Sequence, residues 1–313
     1  MDKSKIIADR TFSFKKGFAL LFTLSVLVVI IGLTGVLMSY FSKVKQDSTH
    51  TKALMQANIY YADIKKMLSS QKNRKSIYGR LYKTSESFTS PDKRFSLMIK
   101  CNSLSNGINI NWLGQHNNQK MKLHYNTAIN IFESIVQLYS LEDGARLQEM
   151  LLKEIGGKKR FVKMEESRLQ QKKGILTYNQ FERIVKRYQF EVDDAKASRV
   201  PWKKFFVFNL LATDMKANVV DAEYSSPELI SLLFDIDMQI VREWYGSLEK
   251  GSVKSFVNEN NPYIYKAMTK ILAKGFLKSS ICTVSYAYAD GRYKFNFEDI
   301  DSEVKNFEFY GKQ

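Results

Sequence analysis

The residues equipped for chemistry in this chain are few, and their spacing assembles no reaction centre. The three histidines are His50, His116 and His124, and none stands at metal-ligand spacing from a second His or a Cys. Acidic pairs occur at Glu165-Glu166 and Asp193-Asp194, and a third group runs from Asp235 to Asp237. Clustered carboxylate oxygens suit Ca2+, but no EF-hand loop frames these, and solvated surface acids have the same pattern. Cys101 and Cys282 both lie in strand-like stretches. Two readings stay open for them: two buried thiols, or a bridge between two strands of one sheet in an oxidising compartment. The sequence holds no phosphate loop, dinucleotide fingerprint or nucleophile elbow. It is therefore read as a non-enzyme, with its metal content unassigned.

The element that organises the chain is Phe18 to Phe41, FALLFTLSVLVVIIGLTGVLMSYF, which carries no charged residue. A helix needs about 20 apolar residues to cross a hydrocarbon core, so this segment is long enough. A cleaved secretory signal has an apolar core of about 7–15 residues and then a small-residue cleavage site. This core is longer, and no A-x-A pattern follows it. Ala19, Ser25, Gly32 and Gly35 are small and would let another helix approach closely. Charge alone does not orient the span. Lys3, Lys5, Arg10, Lys15 and Lys16 precede it, but Lys43, Lys45, Lys52, Lys65 and Lys66 follow it, so the positive-inside rule is weak here.

Beyond the span, Ala53, Leu54, Ala57, Tyr60, Tyr61, Ile64 and Leu68 recur at three- and four-residue spacing. That is an amphipathic helix, continuous with the anchor as a rod of about 50 residues and about 75 Å. Ser69 to Asp92 is polar and basic and reads as a loop with a short strand. Arg94 to Asn102 reads as a strand ending at the turn Ser105-Asn106-Gly107. Helical runs follow on Ile131, Ile135, Leu138 and Leu141, on Leu147 to Ile155, and from Thr177, an expected N-cap, to Tyr188. Ser225 or Ser226, Pro227 and Glu228 open another helix with capping, first-turn and dipole-compatible residues. The tail is β: Cys282, Val284, Tyr286 and Tyr288 alternate, Asp290-Gly291 is a hairpin turn, and Tyr293, Phe295 and Phe297 share the face of a return strand. Val304 to Tyr310 adds a last strand.

The formal net charge is +16 over 313 residues. The basic pairs Lys158-Lys159-Arg160, Lys172-Lys173, Lys186-Arg187 and Lys203-Lys204 are scattered, with no nucleic-acid-binding motif beside them. No nucleic-acid partner is expected; solvated faces, or attraction to acidic lipid headgroups or an acidic partner, account for the balance.

The junction Lys15-Lys16-Gly17-Phe18-Ala19-Leu20-Leu21 resembles that of type IV prepilins and pseudopilins. The resemblance implies peptidase cleavage between Gly17 and Phe18, and methylation of Phe18. It departs from the common pattern at Phe22, where most pilins carry a Glu. In this, KKGFALLFTLSVLVVI is similar to the minor pseudopilin K of type II secretion, which lacks that Glu and sits at the pseudopilus tip. The chain length and the partial match of Asn218, Val220 and Ala222 to a family strand, with Asp221 in place of a Thr, point the same way. The resemblance implies an α+β, pilin-like fold with an inserted helical domain. Its parts would be a leader (1–17), a transmembrane helix (18–41), the stem and first part of the pilin-like domain (42–111), an inserted helical domain (112–215) and the second part (216–313). Ala19, Phe22, Ser25, Gly32 and Gly35 would pack against neighbouring helices. Implied partners are minor pseudopilins of the I and J type, the major pseudopilin, the prepilin peptidase and inner-membrane lipid. The N-terminus would be cytoplasmic and the body periplasmic. Calcium, bound by relatives in the inserted domain, is implied without assignable ligands. Two alternatives stay open: a minor pilin of a type IV pilus or DNA-uptake machine, and a singly anchored extracytoplasmic binding or sensor protein.

Overall fold

The computed structural model describes residues 3–71, 73–89, 96–156, 174–208, 219–247, 251–289 and 291–312, and of 3–17, 19 and 312 the backbone alone. Helix α1 (Lys3–Ser70) is one uninterrupted rod. Nothing in its sequence breaks it. The first proline of the chain is Pro91, and from Phe18 onward the only glycines in α1 are Gly32 and Gly35. Each glycine weakens a helix by only about 1 kcal/mol.

The outer half of α1 changes character. Ala53, Ala57, Tyr60, Ile64 and Leu68 are buried, at the four- and three-residue spacing that forms one helix face. That face lies on an antiparallel sheet of β1 (Glu86–Thr89), β2 (Ser96–Ser103), β5 (Ser279–Tyr288), β6 (Gly291–Ile300) and β7 (Glu303–Lys312), in the order β1-β2-β5-β6-β7. Side chains alternate across a strand, so Ile99, Cys101, Cys282, Val284, Tyr286, Tyr293, Phe295 and Phe297 all meet α1 in one hydrophobic cluster. The register pairs Ile99 with Val284 and Val284 with Phe295. Two register shifts along β6 and β7 mark local irregularity of the edge.

The polar stretch after α1 is not simply a loop. It forms α2 (Arg74–Lys83), capped by Asn73, whose side chain accepts from the Ser76 backbone N–H. Tyr78 and Leu81 are its buried residues. The sparse pattern Ile77, Tyr78, Leu81, Tyr82 is a helix face hidden among basic residues.

Between β2 and β5 the chain leaves the sheet. The short strands β3 (Ile108–Asn109) and β4 (Phe206–Val207) pair in parallel. Around them stand α3 (Lys122–Leu138), α4 (Gly144–Ile155), α5 (Tyr178–Val192), α6 (Pro227–Phe234), α7 (Met238–Gly246), α8 (Val253–Asn260) and α9 (Pro262–Met268). The expected caps form: Thr177 accepts from Gln180 N–H at 3.2 Å, and Ser226 from Leu229 N–H at 3.1 Å. A single hydrophobic cluster, with Trp112, Phe132, Phe181 and Trp202 among its members, runs from Ile108 to Leu272. The helical unit thus extends past the 112–215 range read from the sequence. Helices α6 to α9 share its core, because Leu229, Ile230, Leu233, Val241 and Val257 turn into the same cluster.

Candidate functional site: the apolar rod and the head it carries

From Leu20 the rod has a mean hydropathy of 2.7 in its most apolar window, and none of that window is buried. It is the one helix among the described residues that is long and apolar enough to cross a membrane. Three of its hydroxyls are satisfied within the helix. Ser25 Oγ and Thr23 Oγ1 donate to the carbonyls of Phe22 and Leu20, both at 2.9 Å, and Thr34 donates to Ile30. Such back-bonding keeps these three hydroxyls paired in hydrocarbon.

The expected packing residues fall on this exposed surface. Phe18 and Phe22 are exposed, and a Cβ placed on Gly32 or Gly35 would meet nothing within 4 Å. Ser25 and Gly32, seven residues apart, share one side of the helix, with Gly35 a turn further on. The side-chain surroundings of Gly17 and Ala19 lie outside the described residues. A second exposed apolar strip belongs to the stem. Val44, Met55 and Ile59 are exposed, Met55 at 61%, and they lie opposite the head-facing residues Ala53 and Ala57. The sequence showed the buried strip; the outer one escaped notice because only three residues carry it.

The head grips the stem by hydrogen bonds as well as packing. Tyr286 Oη donates to the Ala53 carbonyl at 2.5 Å, and Tyr61 Oη to the Val304 carbonyl at 3.1 Å. Burial pushes both phenols up from their ordinary value. Tyr60 meets Tyr286 edge to face at 5.3 Å. At the far end of the sheet, Arg74 Nη1 lies 2.6 Å from Asp299 Oδ2, which also accepts from Tyr78 Oη.

Cys101 and Cys282 are joined by a disulfide, both fully buried, with an S–S distance of 1.98 Å. They are register partners on β2 and β5. The bond therefore closes the base of the helical excursion, spanning a sequence separation of 181.

The acidic groups serve the fold. Asp194, in the expected pair with Asp193, accepts from the backbone N–H groups of Glu142 and Lys196 and from Tyr188 Oη. Asp193 and Asp235 end helices in the left-handed region, and Asp237 caps α7. Glu165-Glu166 lies outside the described residues. Among the described residues no group of three or more His, Cys, Asp or Glu side chains could hold a metal ion. His50 stacks edge-on with Phe309, and His124 with Trp112.

Where the excursion rejoins the body, Asp221 is 3% exposed and accepts from Ser103 Oγ at 3.1 Å. Burial pushes its carboxyl up to about 7. No local pattern signals this burial, because Asp221 stands out in sequence only as a mismatch in a strand motif.

A long apolar helix that leaves the membrane and packs on an antiparallel sheet is the pilin plan, and this chain has an α+β, pilin-like fold. No protein-family model matches the sequence, and no curated protein does. Among solved structures, the fold is similar to a chain of the GspK–GspI–GspJ complex from the type 2 secretion system of enterotoxigenic Escherichia coli. The TM-score is 0.52 at 11% identity, over 83% of this chain and 98% of that one.

Proposed function

We propose that this chain is a minor pseudopilin of a type II protein secretion system, a structural subunit that helps start or cap the pseudopilus tip. One observation carries the reading. The exposed apolar rod runs without a break into the buried face of an antiparallel sheet whose strands are interrupted by a helical excursion. The likeness to a chain of the GspK–GspI–GspJ complex extends over 98% of that chain, and suits pseudopilins of the I and J type as partners. In this reading the prepilin peptidase cuts between Gly17 and Phe18, Phe18 is methylated, and the head lies in the periplasm. The exposed strips at Ser25, Gly32 and Gly35, and at Val44, Met55 and Ile59, receive neighbouring helices. The buried disulfide supports a head outside the reducing cytosol.

The test is the N-terminal mass of the full chain co-expressed with a prepilin peptidase, with and without Gly17→Ala. A chain that starts at Phe18 and carries one extra methyl group, both lost in Gly17→Ala, is the expected result. A chain that still starts at Met1 overturns the pseudopilin reading and leaves an anchored binding protein.

A further inference from the structure

A cleft of about 340 Å3 opens where the helical excursion meets the pilin-like body. Its lining includes Tyr82 from α2, Asn102 from β2, Glu223 and Tyr224 from the turn before α6, and Tyr245 from α7. We propose that this cleft binds an arginine side chain of a partner polypeptide, with the guanidinium held among the tyrosine rings and beside Glu223.

Charge and ring chemistry favour this ligand. Tyr82 and Tyr224 meet edge to face with centroids 4.6 Å apart, which fixes both rings. Tyr82 Oη is already engaged by Ser280 Oγ, so what Tyr82 offers a ligand is its π-surface. A cation over tyrosine is favoured by the ring quadrupole, and arginine is the commoner partner. One carboxylate stands beside the rings: Glu223 is exposed at the cleft, with Oε2 accepting from Val253 N–H at 3.1 Å. In a chain of net charge +16, a lining of three tyrosines with one acid against one lysine is less basic than the chain as a whole. Lys83 is the only cation lining the cleft among the described residues, and it is exposed. The asparagine side chain of Asn102 supplies a carbonyl oxygen suited to the guanidinium N–H groups. The proposal is independent of the pseudopilin reading, because it rests on the head alone.

The test is titration of the full chain in detergent micelles with N-acetyl-arginine amide, observed by saturation-transfer NMR. N-acetyl-citrulline amide, the neutral isostere, is the control. Saturable binding is expected, at least tenfold tighter for arginine than for citrulline. Tyr245→Ala and Glu223→Gln should each weaken it about tenfold, the latter with the thermal midpoint unchanged, since Gln keeps the acceptor for Val253 N–H. Lys83→Ala should tighten it, which a merely structural role for the cleft would not do. The proposal fails if no saturable binding occurs at millimolar peptide, if citrulline binds equally, or if the variants leave arginine binding unchanged. It also fails if a polyamine or a neutral sugar such as N-acetylglucosamine binds more tightly than arginine.

Discussion

Cys101 and Cys282 face each other across neighbouring antiparallel strands, and β3 to β4 with the helices α3 to α9 are inserted in sequence between those two strands. The bond holds β2 against β5 whatever the excursion does. A cross-link that closes a long loop stabilises mainly by restricting the unfolded chain, typically by about 2–4 kcal/mol. The double variant Cys101→Ser, Cys282→Ser should therefore unfold at lower urea, by an amount in that range. The intact full chain should also migrate faster on a non-reducing gel than on a reducing one. A urea midpoint unchanged by the double substitution would show that the sheet does not depend on the bond.

Arg74 and Asp299 form a pair of a different kind. The carboxylate is 3% exposed and the guanidinium 12%, so the charges are shielded from water. Removing one partner of a buried pair is strongly destabilising, by about 3–5 kcal/mol, because the other is left uncompensated. Arg74→Met should lower the thermal midpoint markedly. Adding Asp299→Asn to it should recover part of the loss, and calorimetry of the single and double variants measures the coupling.

The membrane segment calls for the opposite outcome, a loss of assembly with no loss of folding. A side chain at Gly32 or Gly35 would meet nothing within the protein, so Gly32→Leu and Gly35→Leu should leave the head's thermal midpoint within about 0.5 kcal/mol of the parent. If helix approach at these positions joins subunits, both should reduce co-purification from membranes with the minor pseudopilins proposed as partners, because close contact needs small residues. Met55→Lys with Ile59→Lys, on the exposed side of the stem, should do the same. Undiminished co-purification in all of these would remove both strips from the interface.

How far the fold could be read in advance depended on the kind of signal. The rod was legible because an uncharged apolar run followed by a four- and three-residue period has few other readings. The hairpin of β5 and β6 was legible from strict alternation. Helix α2 was not, since Ile77, Tyr78, Leu81 and Tyr82 are diluted by Arg74, Lys75, Arg80 and Lys83. The extent of the helical unit was hidden too, because which core α6 to α9 join is a tertiary fact that no local period encodes. The cysteines were visible as strand residues, but only the register between β2 and β5, set by chain distant in sequence, brings them together. The tyrosine-lined cleft likewise draws on α2, β2, α7 and one short turn, and no window of sequence contains it.

Asp221 offers the sharpest pH test of the junction. Its carboxyl is pushed from 3.8 up to about 7 by burial first, opposed by the Ser103 hydroxyl and reinforced by Glu223. Tyr82 and Tyr224 are the other titrating neighbours that sense its charge. A carboxyl raised in the folded state binds its proton more tightly there than in the unfolded chain. Between pH 4 and 7 the folded state therefore holds more protons, and this group's contribution to stability falls as pH rises, levelling off above about 7. Asp221→Asn keeps an acceptor for Ser103 Oγ and has no charge to bury. It should match the parent near pH 4 and exceed it at pH 8 by on the order of 4 kcal/mol. Urea denaturation of both chains at the two pH values checks this, and the comparison cancels the titration of every other carboxylate. An Asn variant equally stable to the parent at pH 8 would mean that Asp221 ionises in the folded protein as freely as in water.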